Sequence, residues 1–297
     1  MINKLGEFGL IERFRKSIRT DASLVESSGD DCAVIKFDKR RHMLFTCDML
    51  VEGVDFISQE DPYLVGRKSL AVSISDIAAC AGIPRWCLIA LGLPIRTRLS
   101  YADRLFKGMR DIARAFRINI AGGDLSRAPK LTVDVSMLGL VKKEELVLRS
   151  GAAQGDAILV TGSLGGSLSG KHLRFTPRVK EARFLSENFK INAMIDISDG
   201  LIQDLGHILK ASRVGAVVYA DCLPFSKQAR GLSDVLYSGE DFELLFTISF
   251  LQARKLMAAK PRDYHLIGEV VAEKKGLILI DKNGRRLALK AGGFRHF

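Results

Sequence analysis

The sequence predicts an α/β protein built from two domains. Short apolar stretches that read as β-strands are separated by amphipathic stretches with helical spacing. The chain has 297 residues, which suits two domains of about 150 residues each. The pattern restarts after a polar, glycine-bearing stretch at 150–156. We therefore predict one domain over residues 1–148 and a second over residues 149–297.

The first half shows two strands and two helices. Met43–Cys47 is a short apolar strand, and Leu64–Ala81 has its apolar residues spaced for one face of a helix. A second helix begins at Ser100, where Asp103 follows three residues later in a capping-box arrangement. Leu131–Val141 alternates apolar and polar residues, and this alternation predicts the clearest strand of the chain.

The second half repeats the alternation of strands and helices. Its predicted strands are Ala157–Thr161, Ala193–Asp196, Ala216–Ala220, Glu243–Ile248 and Leu277–Ile280. A glycine-rich loop at 162–170 follows the first strand, as phosphate-binding loops do. The loop lacks the Gly-Lys-Ser/Thr ending of a P-loop, so a plain turn explains it equally well.

The charge of the chain favours small anionic ligands. Lys and Arg number 45 against 34 Asp and Glu, which gives a formal net charge of +11. The basic residues are spread through the chain rather than clustered, and aromatic residues make up 7%. A nucleic-acid surface needs a basic stripe or patch, so nucleic-acid binding rests on charge alone and is the less favoured interpretation.

The cysteines and the apolar stretches indicate a cytoplasmic protein. The five cysteines are scattered and form no C-x-x-C pair, which argues against zinc and against a disulfide framework. No apolar run reaches the roughly 18 residues that span a bilayer, and the charged N-terminal stretch contains no signal peptide. We expect a reducing cytoplasm and no membrane partner.

Acidic residues recur where a strand or helix gives way to a loop, often beside Gly, Ser or Thr. They are Asp30, Asp31, Asp48, Asp76, Asp124, Asp196, Asp199, Glu240 and Asp241. Each alone is explained by turn chemistry or helix capping. Together they offer the oxygen ligands that Mg²⁺ takes in nucleotide enzymes, and carboxylates gathered at one cleft need a cation to offset their repulsion. The residues themselves predict Mg²⁺-dependent phosphate chemistry.

A series of short motifs runs in order along nearly the whole chain. The first half contains Gly-Glu-Phe at 6–8, Gly-Asp-Asp at 29–31, Leu-Val-Glu-Gly at 50–53, Leu-Ala-Val-Ser-Ile-Ser-Asp-Ile-Ala-Ala at 70–79 and Gly-Gly-Asp at 122–124. The second half contains Arg-Ser-Gly-Ala at 149–152, Asp-Ile-Ser-Asp-Gly-Leu at 196–201, Leu-Gly-His-Ile at 205–208 and Gly-Glu-Asp-Phe-Glu-Leu-Leu-Phe-Thr at 239–247. This series resembles the thiamine-monophosphate kinase family.

The resemblance implies the aminoimidazole-ribonucleotide-synthetase-like fold. In that fold an N-terminal domain, here residues 1–148, binds ATP and Mg²⁺ and forms a homodimer, and a C-terminal α/β domain, here residues 149–297, follows. The implied reaction is in-line transfer of a phosphoryl group from ATP to thiamine monophosphate, with Mg²⁺ as the cofactor. A diverged kinase for another phosphorylated molecule and a non-catalytic nucleotide-binding protein are the alternatives.

The resemblance also assigns roles to residues that match the family's motifs. The implied metal positions are Asp31, Thr46, Cys47, Asp48, Asp76, Asp124, Asp196 and Asp199, of which Asp31, Asp48, Asp76 and Asp199 are the expected catalytic residues. The implied nucleotide positions are Phe106, Gly123, Asp124, Arg149 and Ser198. The implied acceptor positions are Asp55, Glu240 and Ala291.

The chain departs from the family's pattern mainly on the acceptor side. Asp55 stands where the family has histidine, and Ala291 stands where it has tryptophan. The segment before His172 is also shortened. Cys47 replaces a threonine at a metal position, which is harmless if only its backbone carbonyl is used. The sequence therefore supports the use of ATP and Mg²⁺ better than it supports one acceptor.

Overall fold

The computed structural model describes residues 6–259, 263–290 and 292–294, which form two β-sheets with helices packed against them. The first half contains α1 (Gly6–Arg15), β1 (Leu24–Glu26), β2 (Ala33–Lys36), β3 (Arg41–Val51), α2 (Pro62–Ala79), β4 (Ile83–Leu93), α3 (Leu99–Phe116), β5 (Asn119–Arg127) and β6 (Thr132–Lys142). The second half contains β7 (Asp156–Thr161), α4 (Lys171–Arg174), α5 (Val179–Asn188), β8 (Ile191–Asp196), α6 (Leu201–Ser212), β9 (Val214–Tyr219), α7 (Leu232–Tyr237), β10 (Leu244–Ser249), α8 (Phe250–Ala258), β11 (Tyr264–Ala272), β12 (Leu277–Ile280) and β13 (Arg286–Leu289).

The described strands are ordered β1-β2-β3-β6-β4-β5 in the first sheet and β13-β12-β9-β11-β7-β10-β8 in the second. Most of the described strand pairs are antiparallel, whereas β4–β5 and β9–β12 are parallel. The two sheets use separate parts of the chain, with 143–155 between them, so the predicted boundary at 148/149 falls in a segment that belongs to neither sheet. The described helices include none that is long and apolar enough to cross a membrane.

The first sheet has a covered face and an open face. Along β6, Val133, Val135 and Met137 are buried, while the residues between them are half-exposed. This alternation follows from the period of two in a strand. Helix α2 packs on β3 and β6, and α3 packs on α2. The opposite face carries exposed apolar side chains, among them Met49 and Leu88.

Helix α2 connects the two halves of the molecule. It packs on β3 and β6 of the first sheet and also on β8, α4 and α5 of the second half. Its contact with α3 depends on Gly66 and Gly108. A Cβ atom at Gly66 would lie 2.0 Å from the Leu105 carbonyl oxygen, and one at Gly108 would lie 1.9 Å from the Tyr63 carbonyl oxygen. The two backbones therefore approach more closely than any larger residue permits.

Most predicted elements are present, with two corrections. The predicted strands lie within or overlap β3, β6, β7, β8, β9, β10 and β12. The predicted capping box is wrong, because α3 begins at Leu99 and its N-cap, Arg98, makes no side-chain cap hydrogen bond. Strands β1, β2, β4, β5, β11 and β13 were not predicted. All five cysteines are free thiols.

Candidate active site

Three aspartates from distant parts of the sequence meet where the two halves join. Asp31 precedes β2, Asp76 lies in the last turn of α2, and Asp196 is the last residue of β8. One carboxylate oxygen from each lies within 4.8 Å of the others. The cluster thus depends on both sheets and on the helix between them.

Hydroxyl groups hold the carboxylates of this region in place. Each of three hydroxyls donates one hydrogen bond: Thr46 Oγ1 to Asp76 Oδ2 (2.5 Å), Ser73 Oγ to Asp48 Oδ2 (2.7 Å) and Ser75 Oγ to Asp196 Oδ2 (2.6 Å). Neither serine was among the predicted site residues. The signal in the sequence is the pair of polar residues in the otherwise apolar stretch 70–79.

Arg149 brings positive charge to the cluster. Its Nη2 donates to Asp31 Oδ1 at 2.7 Å, and its backbone N–H donates to Asp30 Oδ2 at 2.8 Å. The other oxygen of Asp31, Oδ2, is buried and has no hydrogen-bond partner among the described residues, and the same holds for Arg149 Nε. A buried oxygen left in this way costs about 1–3 kcal/mol.

The cluster resists full ionisation. Burial, followed by the repulsion of Asp48 and other carboxylates, raises the pKa of Asp76 well above its usual range. Burial and the neighbouring Asp31 raise the pKa of Asp196 to about 8 and that of Asp30 to about 7. Burial also raises the pKa of Asp48. A divalent cation would offset these effects, and an all-oxygen donor set with an unpartnered Asp31 oxygen fits a hard cation such as Mg²⁺.

A first cleft, of about 290 Å³, opens beside the cluster. One part of its wall is acidic and includes Asp48, Asp76 and Glu240. The apolar part of its wall contains Met49, Leu50, Val54, Val72, Leu168, Phe242 and Phe294. This division suits a ligand with an apolar ring and a positive charge, and a phosphate beside the carboxylates would need a divalent cation between them.

A second cleft, of about 530 Å³, shares Ser198 and Asp199 with the first. Its wall includes three basic side chains, Arg15, Arg149 and Lys210. Its further lining residues include Phe8, Asp30, Asp204 and His207, and the Phe8 and His207 rings lie 5.2 Å apart. The basic side chains suit an anionic ligand such as a polyphosphate.

Asp204 shapes the wall that the two clefts share. Its Oδ2 accepts hydrogen bonds from the backbone N–H groups of Asp199 (3.1 Å) and Gly200 (3.0 Å) at the start of α6. Asp199, Asp204 and His207 also place one ligand atom each within 4.8 Å of one another. Neither Asp204 nor His207 was predicted as a site residue, although both lie in or near motifs that the sequence analysis identified.

The acidic side chains of the motif at 239–243 contact different parts of the molecule. Glu240 lines the first cleft, whereas Asp241 accepts from the Gly165 N–H (3.0 Å) and from Ser167 Oγ (2.5 Å) and so holds the glycine-rich loop. Glu243 is buried, and both its oxygens accept from the Arg178 guanidinium (2.6 and 2.9 Å). The loop in turn brings Leu168 to the first cleft.

Asp55 lies in the first cleft, but its carboxylate also has a structural partner. Its Oδ2 accepts from the Val51 N–H at 2.7 Å, in the turn that follows β3. Its carbonyl oxygen accepts from Lys68 Nζ at 2.8 Å. Lys68 is completely buried on α2 and was not predicted as a site residue. Ala291, the third predicted acceptor residue, lies outside the described residues.

Seven of the predicted residues within the described ranges line neither cleft. Asp31 and Asp196 belong to the aspartate cluster and Thr46 bonds to Asp76, whereas the other four lie elsewhere. Cys47 and Asp124 belong to β3 and β5, where register places their side chains on the open face of the sheet. The Cys47 thiol lies 3.3 Å from Asp134 Oδ2 on that face. A Cβ atom at Gly123 would lie 1.7 Å from the Ile89 carbonyl oxygen, so Gly123 packs directly against the backbone of β4. Phe106 is exposed on α3.

Comparison with known proteins agrees with this architecture. The N-terminal domain model of AIR synthase related protein matches residues 29–141, and the C-terminal domain model matches residues 153–280. The thiamine-monophosphate kinase of Buchnera aphidicola subsp. Schizaphis graminum is 35% identical over 98% of this chain and 98% of its own length. That of Escherichia coli K12 is 34% identical with the same coverage.

The chain belongs to the thiamine-monophosphate kinase family. A solved structure of AaThiL complexed with AMPPCP and TMP superposes with a TM-score of 0.88 at 29% identity, over 100% of this chain and 99% of that chain. The predicted two-domain fold and the predicted enzyme class, a phosphotransferase, are confirmed.

Proposed function

We propose that this chain phosphorylates thiamine monophosphate at the expense of ATP, producing thiamine diphosphate and ADP. The observation that carries the proposal is the convergence of Asp31, Asp76 and Asp196 beside two clefts that share Ser198 and Asp199. The names of its relatives support this activity, as does the AaThiL complex with AMPPCP and TMP, an ATP analogue and, in this family, thiamine monophosphate.

We infer that the aspartate cluster holds Mg²⁺. The residues that suit this role are Asp31, Asp48, Asp76, Asp196 and Asp199, with oxygen donors only and an unpartnered oxygen on Asp31. When bound, Mg²⁺ neutralises phosphate charge and stabilises the charge that develops during phosphoryl transfer. Arg149 contributes a fixed positive charge at the same place, because its guanidinium is already oriented by Asp31.

The two clefts divide the substrates between them. The basic wall of the second cleft, with Arg15, Arg149 and Lys210, suits the nucleotide's phosphates. The apolar wall of the first cleft suits the rings of the acceptor, and its acidic wall suits a cationic thiazolium. Since Ser198 and Asp199 belong to both clefts, transfer from donor to acceptor takes place at this shared wall. In-line displacement needs the two oxygens on opposite sides of the phosphorus, which this arrangement supports.

A kinase assay tests this function directly. The purified chain is incubated with ATP, Mg²⁺ and thiamine monophosphate, and thiamine diphosphate and ADP are quantified. We expect both products in equal amounts. Binding of ATP without formation of ADP on any acceptor would instead identify a nucleotide-binding protein without turnover.

A diverged kinase with another phosphorylated acceptor is the second candidate function. The observation that favours it is Asp55 in the first cleft, where the family motif has histidine. A further carboxylate in this acidic wall repels an acceptor phosphate unless a cation screens it. The same assay with a panel of phosphate esters separates the candidates, because a diverged enzyme forms ADP with another ester and not with thiamine monophosphate.

A further inference from the structure

A completely buried lysine reaches across the two halves behind the first cleft. Lys68 lies on α2, and its Nζ donates to Glu240 Oε1 at 2.5 Å and to the Asp55 carbonyl oxygen at 2.8 Å. An unpaired ammonium group is very costly to bury, so Lys68 requires both partners. One partner lies in each half of the chain, and both partner residues line the first cleft.

The backbone holds Glu240 in one position. Its φ of 55° lies in the left-handed region, as does that of Phe242 at 49°, and non-glycine residues rarely adopt this region because it strains the backbone. The Glu240 N–H donates to the Ser198 carbonyl at 2.6 Å. The turn is therefore tied to the wall that both clefts share, and the Glu240 side chain leaves it in a fixed direction.

The second oxygen of this glutamate has no hydrogen-bond partner in the described ranges. Glu240 Oε2 is buried, while Oε1 is taken by Lys68. A charged oxygen that has lost water and gained no donor is destabilising. Because Glu240 lines the first cleft, a ligand there can supply the missing donor.

We propose that Lys68 is a positioning residue, which fixes Glu240 so that its second oxygen accepts a hydrogen bond from an N–H group of the acceptor. The pair then selects phosphorylated acceptors that carry an exocyclic amino group on a ring. This inference rests on the proposed function, since it concerns the same cleft. Thiamine monophosphate has such an amino group on its pyrimidine, and oxythiamine monophosphate has an oxo group instead.

The test compares these two acceptors. For the wild type we expect kcat/KM for thiamine monophosphate to exceed that for oxythiamine monophosphate at least tenfold, because the oxo group places an acceptor against the Glu240 carboxylate where the amino group places a donor. Glu240→Gln supplies an amide that can donate to the oxo group, and its preference should fall to about threefold or less. Lys68→Met should lose the preference as well, mainly through KM.

Two further variants separate positioning from folding. Lys68→Met leaves the buried Glu240 carboxylate without its partner and lowers stability. The double variant Lys68→Met, Glu240→Gln has no charge at either position, so it should regain most of the lost melting temperature. It should not regain the preference for thiamine monophosphate. Lys107→Met, which removes an exposed ion pair with Asp111 on α3, should keep the wild-type ratio.

The outcomes distinguish this inference from the proposed function. If the variants melt earlier but keep the wild-type ratio, Lys68 is structural and the inference is overturned. If the wild type turns over neither acceptor, the proposed function fails, and calorimetric binding of the two acceptors decides the inference. A wild-type binding preference for thiamine monophosphate that Glu240→Gln removes supports it, and equal binding overturns it.

Discussion

At the scale of single residues, the site gathers negative charges that a folded protein ordinarily keeps apart. Asp31, Asp76 and Asp196 remain together because each accepts a hydrogen bond, either from a hydroxyl group or from the Arg149 guanidinium. These contacts do not fully offset burial and the repulsion between the carboxylates, which together raise the pKa values of Asp76 and Asp196. The cluster therefore lowers the stability of the folded protein, and the charges that lower it are the ones that the function needs.

Removing one charge from the cluster should affect activity far more than folding. Asp31→Asn and Asp76→Asn keep the size of the side chain but weaken its binding of a divalent cation, so we expect kcat to fall by at least a hundredfold. Circular dichroism should show an unchanged fold for both variants. Thermal stability should be equal or higher for Asp76→Asn and lower for Asp31→Asn, which leaves the Arg149 guanidinium without its ionic partner. Asp111→Asn, at a half-buried position on α3 that lines neither cleft, is the matched control, and rates like the wild type's in Asp31→Asn would refute the assignment.

The stability of the metal-free protein should depend on pH through Asp196. The folded state holds this proton up to a pH of about 8, whereas the ordinary pKa is 3.8. Between these values the unfolded chain releases the proton first, so stability falls as pH rises from about 4 to about 8. Urea unfolding in EDTA at pH 5 and pH 8 measures the difference.

Two additions make the pH experiment specific. Asp196→Asn cannot titrate, so it should have a shallower slope than the wild type, with the remainder coming from the other carboxyls with raised pKa values, such as Asp30 and Asp76, while Asp111→Asn should keep the full slope. Mg²⁺ at pH 8 should restore the stability of the wild type, because binding to the folded state alone stabilises it. A wild-type slope that is flat or rises with pH would contradict the assignment of a raised pKa to this cluster.

The sequence predicted the acidic cluster but not the residues that support it. The aspartates were predictable because each lies at the end of an element beside Gly, Ser or Thr, and several such sites in one chain are unusual. Lys68 was not, because a lysine within an apolar helix resembles any lysine that reaches the surface. Its burial depends on Glu240, which is 172 positions away along the chain.

At the scale of elements, α2 orients the site. Four of its side chains, those of Lys68, Ser73, Ser75 and Asp76, hydrogen-bond to four residues outside the helix, and Ser75 bonds to Asp196 of the second sheet. Its position depends on the close packing of Gly66 and Gly108 against α3. The helix therefore transmits any shift of α3 to the cluster.

Gly108→Ala should destabilise the protein by pushing α3 away from α2. The added methyl group would lie 1.9 Å from the Tyr63 carbonyl oxygen, a backbone atom that cannot rotate away. Overpacking of this kind costs about 1–3 kcal/mol, and here we expect the upper end of that range. Urea unfolding measures the loss. Lys107→Ala, at the adjacent exposed position, should stay within about 0.5 kcal/mol of the wild type.

Strands and helices were predictable where one face is buried. The strand predicted at Leu131–Val141 is β6, whose alternation reports a single covered face. β5 was not predicted because it is the described sheet's edge strand, and its residues are mostly exposed on both sides. The α3 start was misplaced because Ser100 and Asp103 fit a capping box, but the helix begins one residue earlier.

At the scale of the whole molecule, the open face of the first sheet has the features of an interaction surface. Phe45, Met49, Trp86 and Leu88 are 42%, 57%, 37% and 51% exposed on that face. Exposed apolar side chains grouped in this way mark interaction surfaces in stable proteins. The edge strand β5 also leaves backbone groups unpaired beside it. Cys47 and Asp124, which the family resemblance implies as metal positions, lie on the same face.

We expect the chain to form a two-fold symmetric dimer through this face. A two-fold axis lets one apolar patch cover its own copy. Dimerisation would remove all four of these side chains from water, and burial of apolar surface stabilises by about 25 cal/mol per Å².

Light scattering of the wild type should give twice the 32.7 kDa chain mass. Leu88→Asp places a charge at the centre of the patch and should give the monomer mass at micromolar concentration. Phe250→Asp, an equally exposed apolar position in the second half, should remain dimeric. If Leu88→Asp stays dimeric and Phe250→Asp does not, the chain pairs through its second half, and the open face needs a different partner.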